Sequence, residues 1–283
     1  MEYPIDLVYL WVDGADPKWC ARKNNYLLLA DAAEHNLAVP ERWKDNDELK
    51  YSLRGVERFI PWLNHIFLVT DQQVPSWLNT NHPKLTVVDH RDFIPQEYLP
   101  LFCADALESF LPCVPNLSEH FLFANDDTFF GREISPKRFF DRNGNPIVQV
   151  KRLYEKDFFQ DRSLQEQLLS DKQYASRTRS NLLVSNKFQK NLNWEGAHVI
   201  DPYRKSYMLE TLQEASYAEA WEASRRHRFR SPEAVQRIIF SLYDFCKGRT
   251  TLIDSRHLRE WKRIFCPQRL PYLLSKESDL QKV

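Results

Sequence analysis

HFLFANDDTFFGR, residues His120 to Arg132, is the stretch from which the fold is read. Phe121-Leu122-Phe123-Ala124 is a short, aromatic-rich apolar run, which suits a buried strand better than a helix. It stops at Asn125-Asp126-Asp127 and resumes at Phe129-Phe130 before Gly131. In an open α/β sheet, ligands bind outside the carboxyl ends of the strands, where two adjacent carboxylates would then stand. A hard cation such as Mg²⁺ takes one or two carboxylates plus substrate phosphate oxygens, so Asp126 and Asp127 have the chemistry to hold a nucleotide-bound metal. An Asn-Asp turn after a strand is the plainer reading of the same three residues.

Working outward, further strands alternate with helices. Ile5–Val12 (IDLVYLWV) is β-branched and aromatic, and it ends at the turn Asp13-Gly14-Ala15-Asp16-Pro17. Asp13 is thus another carboxylate at a strand's carboxyl end. Residues 18–36 have helical spacing. Arg42–Pro61 contains an amphipathic helix with Leu49, Leu53, Val56 and Phe59/Ile60 on one face, and Asp45 or Asn46 as its cap. Lys50 and Arg54 lie one turn apart on a different face, and they gain a role if that helix borders the site. His65–Thr70 and Lys84–Asp89 read as strands, Cys103–Leu111 as a helix, and Pro146–Val150 as a strand. The alternation argues a Rossmann-like or GT-A-like α/β fold: a mainly parallel sheet flanked by helices, with a largely helical C-terminal part. Residues 1–150 would be the α/β core, and residues 151–283 a mainly helical part that completes the site.

In that second part, Ser231 reads as an N-cap with Pro232 at the first helical position, Val235 to Phe245 as the apolar stripe, and Gly248 as the stop. Arg230 immediately precedes this cap, and a guanidinium beside free N–H groups at a helix N-terminus favours an anion. His198, in Gly-Ala-His-Val-Ile-Asp-Pro at a break between helices, is a loop-borne candidate for acid/base work.

Composition narrows the choices. The chain has 283 residues, 43% apolar and 28% charged, which is ordinary for a globular protein. Formal net charge is zero, which gives no general attraction to nucleic acid, although clusters such as Arg225-Arg226-His227-Arg228 make the second half basic. Five cysteines, without a C-x-x-C spacing, argue against a zinc site or disulfide framework and for a reducing compartment. The N-terminus shows no basic start or long apolar segment, and no run is long enough to span a bilayer, so a soluble, cytoplasmic protein is expected. Arg259, Lys262 and Arg263 would suit a solvated helix face, and they leave peripheral membrane association as a further reading. The six glycines form no dinucleotide, P-loop or nucleophile-elbow motif, so bound phosphate must be held by cations and helix ends.

Taken together, these blocks resemble the Stealth family of sugar-phosphate transferases, which includes bacterial capsule polymerases and the enzyme that marks lysosomal glycoproteins with GlcNAc-1-phosphate. The matching stretches are IDLVYLWVDGADPKW (Ile5–Trp19), RWKDNDELKYSLRGVERFIPWLNHIFLVTDQQVPSWLN (Arg42–Asn79), LPLFCADALESFLPCVPNLSEHFLFANDDTFFGR (Leu99–Arg132), and, more loosely, AHVIDPYRKS (Ala197–Ser206) with FRSPEAVQ (Phe229–Gln236). Positions matching family functional residues are Asp13, Arg54, Asp126, Asp127, His198 and Arg230. Departures are Cys103-Ala104-Asp105 where the family often has Asn-Ser-His, Asp201 where a second His often stands, and Ala234 in place of a common Asp.

The resemblance implies transfer of a sugar 1-phosphate from a nucleotide sugar, commonly a UDP-sugar, to a glycan hydroxyl, with UMP released and Mg²⁺ or Mn²⁺ assisting. Capsule or surface polysaccharide synthesis would be its setting. On that chemistry Asp126 and Asp127 hold the metal, Arg54 and Arg230 pair with phosphate oxygens with Lys50 nearby, and His198 is the base. Asp13 is the alternative base, or the group that orients the histidine. Two other readings fit the same residues: a metal-dependent GT-A-type glycosyltransferase that releases UDP, and an inactive carbohydrate-binding relative.

Overall fold

The runs IDLVYL, IFLVT, LTVVD and HFLFAN form four parallel strands: β1 (Ile5–Leu10), β2 (Ile66–Thr70), β3 (Leu85–Asp89) and β4 (His120–Asn125). The computed structural model describes residues 3–30, 43–154, 160–171 and 174–255. A fifth strand, β7 (Asp201–Arg204), comes from the second half of the chain and pairs antiparallel to β4, giving the order β3-β2-β1-β4-β7. The fold is α/β, with a mainly parallel sheet flanked by helices.

Both faces of the sheet are covered, which is why its strands read as nearly unbroken apolar runs. Side chains alternate between the faces with a period of two. Leu7, Tyr9, Leu122 and Ala124 pack on one side with Leu49 and Val56 of α2 (Glu48–Phe59). Val8, Phe121 and Phe123 pack on the other with Val184 of α5 (Ala175–Phe188) and with Ile239 and Leu242 of α8 (Ile238–Cys246). Asp6, fully buried in β1, accepts from Asn64 Nδ2 at 2.7 Å and from Ser118 N at 2.7 Å, so its charge ties two loops to the sheet.

The register decides where the chemistry gathers. Leu10 lies opposite Val69 and Asn125, and Thr70 opposite Asp89. Because these strands run the same way, the residues that follow them meet at one edge: Trp11–Asp13, Asp71–Gln73, His90 and Asp126–Asp127. Antiparallel β7 starts at that edge, with Asp201 opposite Phe123. His198 is brought there with it.

Three elements differ from the sequence reading. The α8 helix starts at Ile238, not after Ser231. Ser231 accepts from Glu233 N at Oγ and from Ala234 N at its carbonyl, both at 3.2 Å, within a turn, and the two amides after these are taken by other side chains: Val235 N donates to Ser224 Oγ and Gln236 N to Ser180 Oγ, both at 2.9 Å. Those tertiary bonds replace a first helical turn. At α2, Asp45 does not cap the helix. Its Oδ1 accepts from Asp47 N at 2.8 Å, and left-handed Asp47 (φ 66°) stands at the N-cap. Finally, the second half is helical, with α4 (Arg162–Ser170), α5, α6 (Lys205–Leu212), α7 (Ala218–Arg226) and α8, but it also carries short strands. Besides β7 there is a small sheet, β6-β5-β8, made of β6 (Trp194–Gly196), β5 (Ile147–Arg152) and β8 (Thr251–Asp254). Strands of three or four residues have little pattern to show, and Pro202 is tolerated because β7 is an edge strand.

The helix expected over residues 18–36 is present as α1 (Pro17–Leu27), capped by Asp16, whose side chain accepts from Lys18 N at 2.8 Å; residues 31–36 lie outside the described residues. So do Arg259, Lys262, Arg263 and Cys266. Among the described residues, Cys20, Cys103, Cys113 and Cys246 are free thiols, and no helix is long and apolar enough to cross a membrane.

Candidate active site

At the carboxyl edge of the sheet lies a cavity of about 400 Å³, bordered by the strand ends Leu10–Val12, Asn125–Asp127 and His90. One wall is aromatic. Trp19 of α1, Trp43, Phe102 and Phe229 form a buried cluster in which Phe102 and Phe229 stack at 5.2 Å, and Trp43 Nε1 donates to Phe102 O at 3.2 Å. Gly14 makes this wall possible, since a Cβ there would stand 1.9 Å from Trp43 O. The wall also sets Arg230. Phe102 N donates to Arg228 O at 2.8 Å, Phe229 stacks beneath, and Arg230 follows into the cavity, its Nη2 donating to Asp105 Oδ1 at 3.2 Å. Arg230 therefore arrives by packing against the 101–105 segment and not beside a helix N-terminus, since α8 starts only at Ile238.

The Asp pair hangs from the end of β4. Thr128 closes the turn behind it, with N and Oγ1 both donating to Asn125 O, at 3.1 and 2.7 Å. Ser52 of α2 joins this turn to the core by donating to Thr128 O at 2.6 Å. Gly55 permits the close approach, for a Cβ there would meet Phe130 O at 2.9 Å. Burial first, and then the charge of Asp127, push the Asp126 carboxyl up to about 6. The Asp127 carboxyl is held below its ordinary value by a hydrogen bond from His198, and the same bond raises His198. His198 Nε2 lies 3.1 Å from both Asp127 oxygens. A carboxylate only accepts, so Nε2 carries the proton and Nδ1 of the neutral ring is the free basic nitrogen.

His198 owes its place to a tight turn between strands of the two sheets. Ala197 N donates to Gln149 O at 3.1 Å, Val199 N to Ala197 O at 2.8 Å, and β7 begins at Asp201. Buried Asp201 is anchored by Arg237, whose Nε and Nη2 reach Asp201 Oδ2 at 3.2 and 3.1 Å while Nη1 reaches Glu108 Oε1 at 2.7 Å. The guanidinium lies 5.0 Å from the Phe123 ring centre. This Glu108–Arg237–Asp201 group, whose members lie up to 129 positions apart in the chain, had no local sequence signal.

The fold thus brings Asp126, Asp127, His198 and Arg230 into one cavity. It does not bring Lys50 and Arg54 there. They line a second hollow with Trp77, which shares no lining residue with the first. Helix α2 does border the site, but its first-turn neighbours Lys44, Asp45 and Glu48 face that way: Lys44 lines the cavity, and Asp45 accepts from cavity-lining Trp11 Nε1 at 2.9 Å. Asp13 stands just past the cavity-lining residues of β1. Its carboxylate accepts from Ala15 N at 2.8 Å, and its backbone is clasped by Gln73, so the group orienting His198 is Asp127 and not Asp13.

His90 was missed from the sequence, though it immediately follows a parallel strand. It is 2% exposed, lines the cavity, and has no hydrogen-bond partner at Nδ1. Burial pushes it down to about 4, so it is neutral. Trp19 Nε1, in the aromatic cluster, is also without a partner.

Asp126 and Asp127 are chemically able to share a divalent cation, since Asp126 is raised by burial and by the neighbouring carboxylates Asp127 and Glu48. No group of three or more His, Cys, Asp or Glu side chains suited to a metal occurs among the described residues. The protein would therefore supply two carboxylates, and the ion would fill its shell with water and ligand oxygens, as Mg²⁺ commonly does.

Comparison with known proteins places this architecture. Residues 42–148 match Stealth protein conserved region 2 and residues 3–28 match Stealth protein conserved region 1. A capsular polysaccharide phosphotransferase of Actinobacillus pleuropneumoniae is 37% identical over 214 residues, 74% of this chain and 56% of that protein. An exopolysaccharide phosphotransferase of Streptomyces coelicolor is 38% identical over 266 residues, 90% of this chain and 42% of that one. An exopolysaccharide phosphotransferase of Lactiplantibacillus plantarum is 30% identical over 261 residues, covering 81% of this chain and 72% of the relative. The chain spans about half the length of the first two relatives. With both conserved regions matched in order around the Asp126–Asp127 edge, the chain belongs to the Stealth family.

Proposed function

We propose that this protein transfers a sugar 1-phosphate from a nucleotide sugar, a UDP-sugar by preference, to a glycan hydroxyl, releasing the nucleoside monophosphate during synthesis of a capsular or other surface polysaccharide. The observation that carries the reading is one cavity holding two adjacent carboxylates, a carboxylate-oriented histidine and a half-buried arginine. Phosphoryl-type transfer asks for little else: neutralised nonbridging oxygens, a stabilised leaving group and a base for the incoming hydroxyl. The names of the polysaccharide phosphotransferase relatives support the same class of reaction.

In this reading the acceptor oxygen bonds to the sugar-bearing phosphorus while the bond from that phosphorus to the nucleoside phosphate breaks. His198 Nδ1 takes the acceptor proton, and Asp127 stabilises the imidazolium through Nε2. Arg230 pairs with phosphate oxygens, steadied by Asp105, and Lys44 adds a second cation at the rim. The nucleoside rests against the aromatic wall of Trp19, Trp43 and Phe102. A divalent ion on Asp126 and Asp127, when bound, supplies charge neutralisation for the diphosphate.

Incubation with a panel of nucleotide sugars, simple glycan acceptors and Mg²⁺, followed by chromatography of the nucleotides, tests this directly. Nucleoside monophosphate is the expected product; a nucleoside diphosphate would instead make the protein a glycosyltransferase of GT-A type. Asp127→Ala and His198→Ala should each lower turnover about a hundredfold or more with the fold intact, and a fully active Asp127→Ala protein would end the proposal.

A further inference from the structure

His198 is the base of the proposed reaction, yet burial does not hold its ring. Its side chain is 62% exposed, and that of its partner Asp127 is 53% exposed. A contact so open to water does little to fix a geometry, because solvent screens it and both side chains keep other rotamers within reach. The place of the ring must therefore come from the backbone that carries it. On one side that backbone is tied to β5, Ala197 N donating to Gln149 O at 3.1 Å. On the other, after Val199 and Ile200, it enters β7 at Asp201.

The second tie is made at Asp201, which is buried. Its Oδ1 has no hydrogen-bond partner, and both bonds to Oδ2 come from Arg237. Arg237 stands at the start of α8, whose Ile238, Ile239, Phe240 and Leu242 are buried in the core. A third bond, from Nη1 to Glu108 Oε1 at 2.7 Å, reaches α3 (Ala104–Glu108). The same guanidinium lies 5.0 Å from the ring centre of Phe123, the residue opposite Asp201 in β4. Its rigid fork thus fastens the start of β7 to two helices and to the strand that ends in Asp126 and Asp127. A buried pair loses far more when one partner is removed than an exposed pair does, so this tie outweighs the His198–Asp127 contact. Helix α3 also carries Asp105, which accepts from Arg230 at 3.2 Å. One short helix thereby steadies the phosphate-pairing arginine and, through Arg237, the turn that carries the histidine.

We propose that Arg237 is a positioning residue for the transfer: it touches no reacting atom, and by holding Asp201 it sets His198 in place at the Asp126–Asp127 cavity. That role rests on the proposed reaction, in which His198 is the base. The order of the ring does not, and it is measured without donor or metal.

The variant to compare with the parent protein is Arg237→Met/Glu108→Gln/Asp201→Asn, which leaves no buried charge and should recover most of the parent's melting temperature. Nothing in it ties β7 to α8 through a charge. NMR relaxation of the His198 ring should show a rigid ring in the parent and a mobile one in the variant. In the nucleotide-release assay kcat should fall about tenfold to a hundredfold, the order for a misplaced catalytic group, with KM for the donor within about twofold. A residue that served stability alone would leave this variant with the parent's kcat. A rigid ring in the variant, an unchanged kcat or a loss confined to KM would each overturn the assignment. Should the triple variant melt far below the parent, Arg237→Lys is read in the same way, since it keeps a cation between the carboxylates without the fork. A parent protein that releases no nucleotide removes the reaction instead, and the ring measurement alone then decides the anchor.

Discussion

Arg237→Met removes a charge from the interior while nearly keeping its volume, and the outcome follows from what is left behind. Glu108 and Asp201, with side chains 4% and 2% exposed, both lean on that guanidinium. Burial already pushes each carboxyl up to about 6 with Arg237 present. Without it, two buried carboxylates lack a cation, a change that typically costs about 3–5 kcal/mol. At about 2–4 °C per kcal/mol for chains of this order, the melting temperature near pH 8 should fall by roughly 6–20 °C. The pH dependence has a definite sign. A carboxyl whose folded-state value lies above its unfolded value of about 4 binds the extra proton in the folded state. Its penalty is absent below pH 4 and accumulates as pH rises to the folded value. For the parent protein that accumulation ends near pH 6; for the variant it continues higher. The stability gap should therefore be widest near pH 8 and shrink toward pH 5. Thermal unfolding followed by circular dichroism at both pH values measures it. A gap below about 1 kcal/mol at pH 8, or one that widens on acidification, would refute the reasoning. Adding Glu108→Gln and Asp201→Asn to the variant should recover much of the loss, because no buried charge then remains.

Two more outcomes follow from other parts of the site. Asp127→Asn should lower the titration midpoint of His198, read by NMR of the ring protons, toward its ordinary value of about 6.5, because the carboxylate bond is the main cause of its upward shift; an unmoved midpoint would separate the two residues. Gly14→Ala should destabilise the protein by about 1–3 kcal/mol in urea unfolding, since the new Cβ meets backbone of Trp43 and not a yielding side chain; Gly131→Ala, with nothing within 4 Å, serves as the near-neutral comparison.

The central strands β1 and β4 were legible because they are buried on both faces and leave continuous apolar runs, Leu7–Leu10 and Phe121–Ala124. Asp126 and Asp127 could be placed for the same reason: a strand's end is a local feature, and a parallel sheet makes all such ends neighbours. Arg230 was named for a local reason that did not hold. It reaches the cavity by stacking of Phe229 on Phe102, while the helix it was thought to precede begins only after Ser224 and Ser180 have taken the intervening amides. Lys50 and Arg54 show the complementary error, since helical periodicity gives their face but not what that face looks at.

The resemblance of whole blocks pointed to the family, while apolar period and the placement of turns determined the parallel sheet and the carboxylates at its edge. All of those depend on interactions between residues close in sequence or on the generic geometry of strands. Tertiary structure alone decided that His198 is oriented by Asp127 across 71 positions, that Arg237 joins Glu108 to Asp201, that His90 closes the cavity, and that the α2 cations open onto a separate groove. Those are contacts between distant segments, set by strand register and side-chain packing, and no local pattern in the chain encodes them.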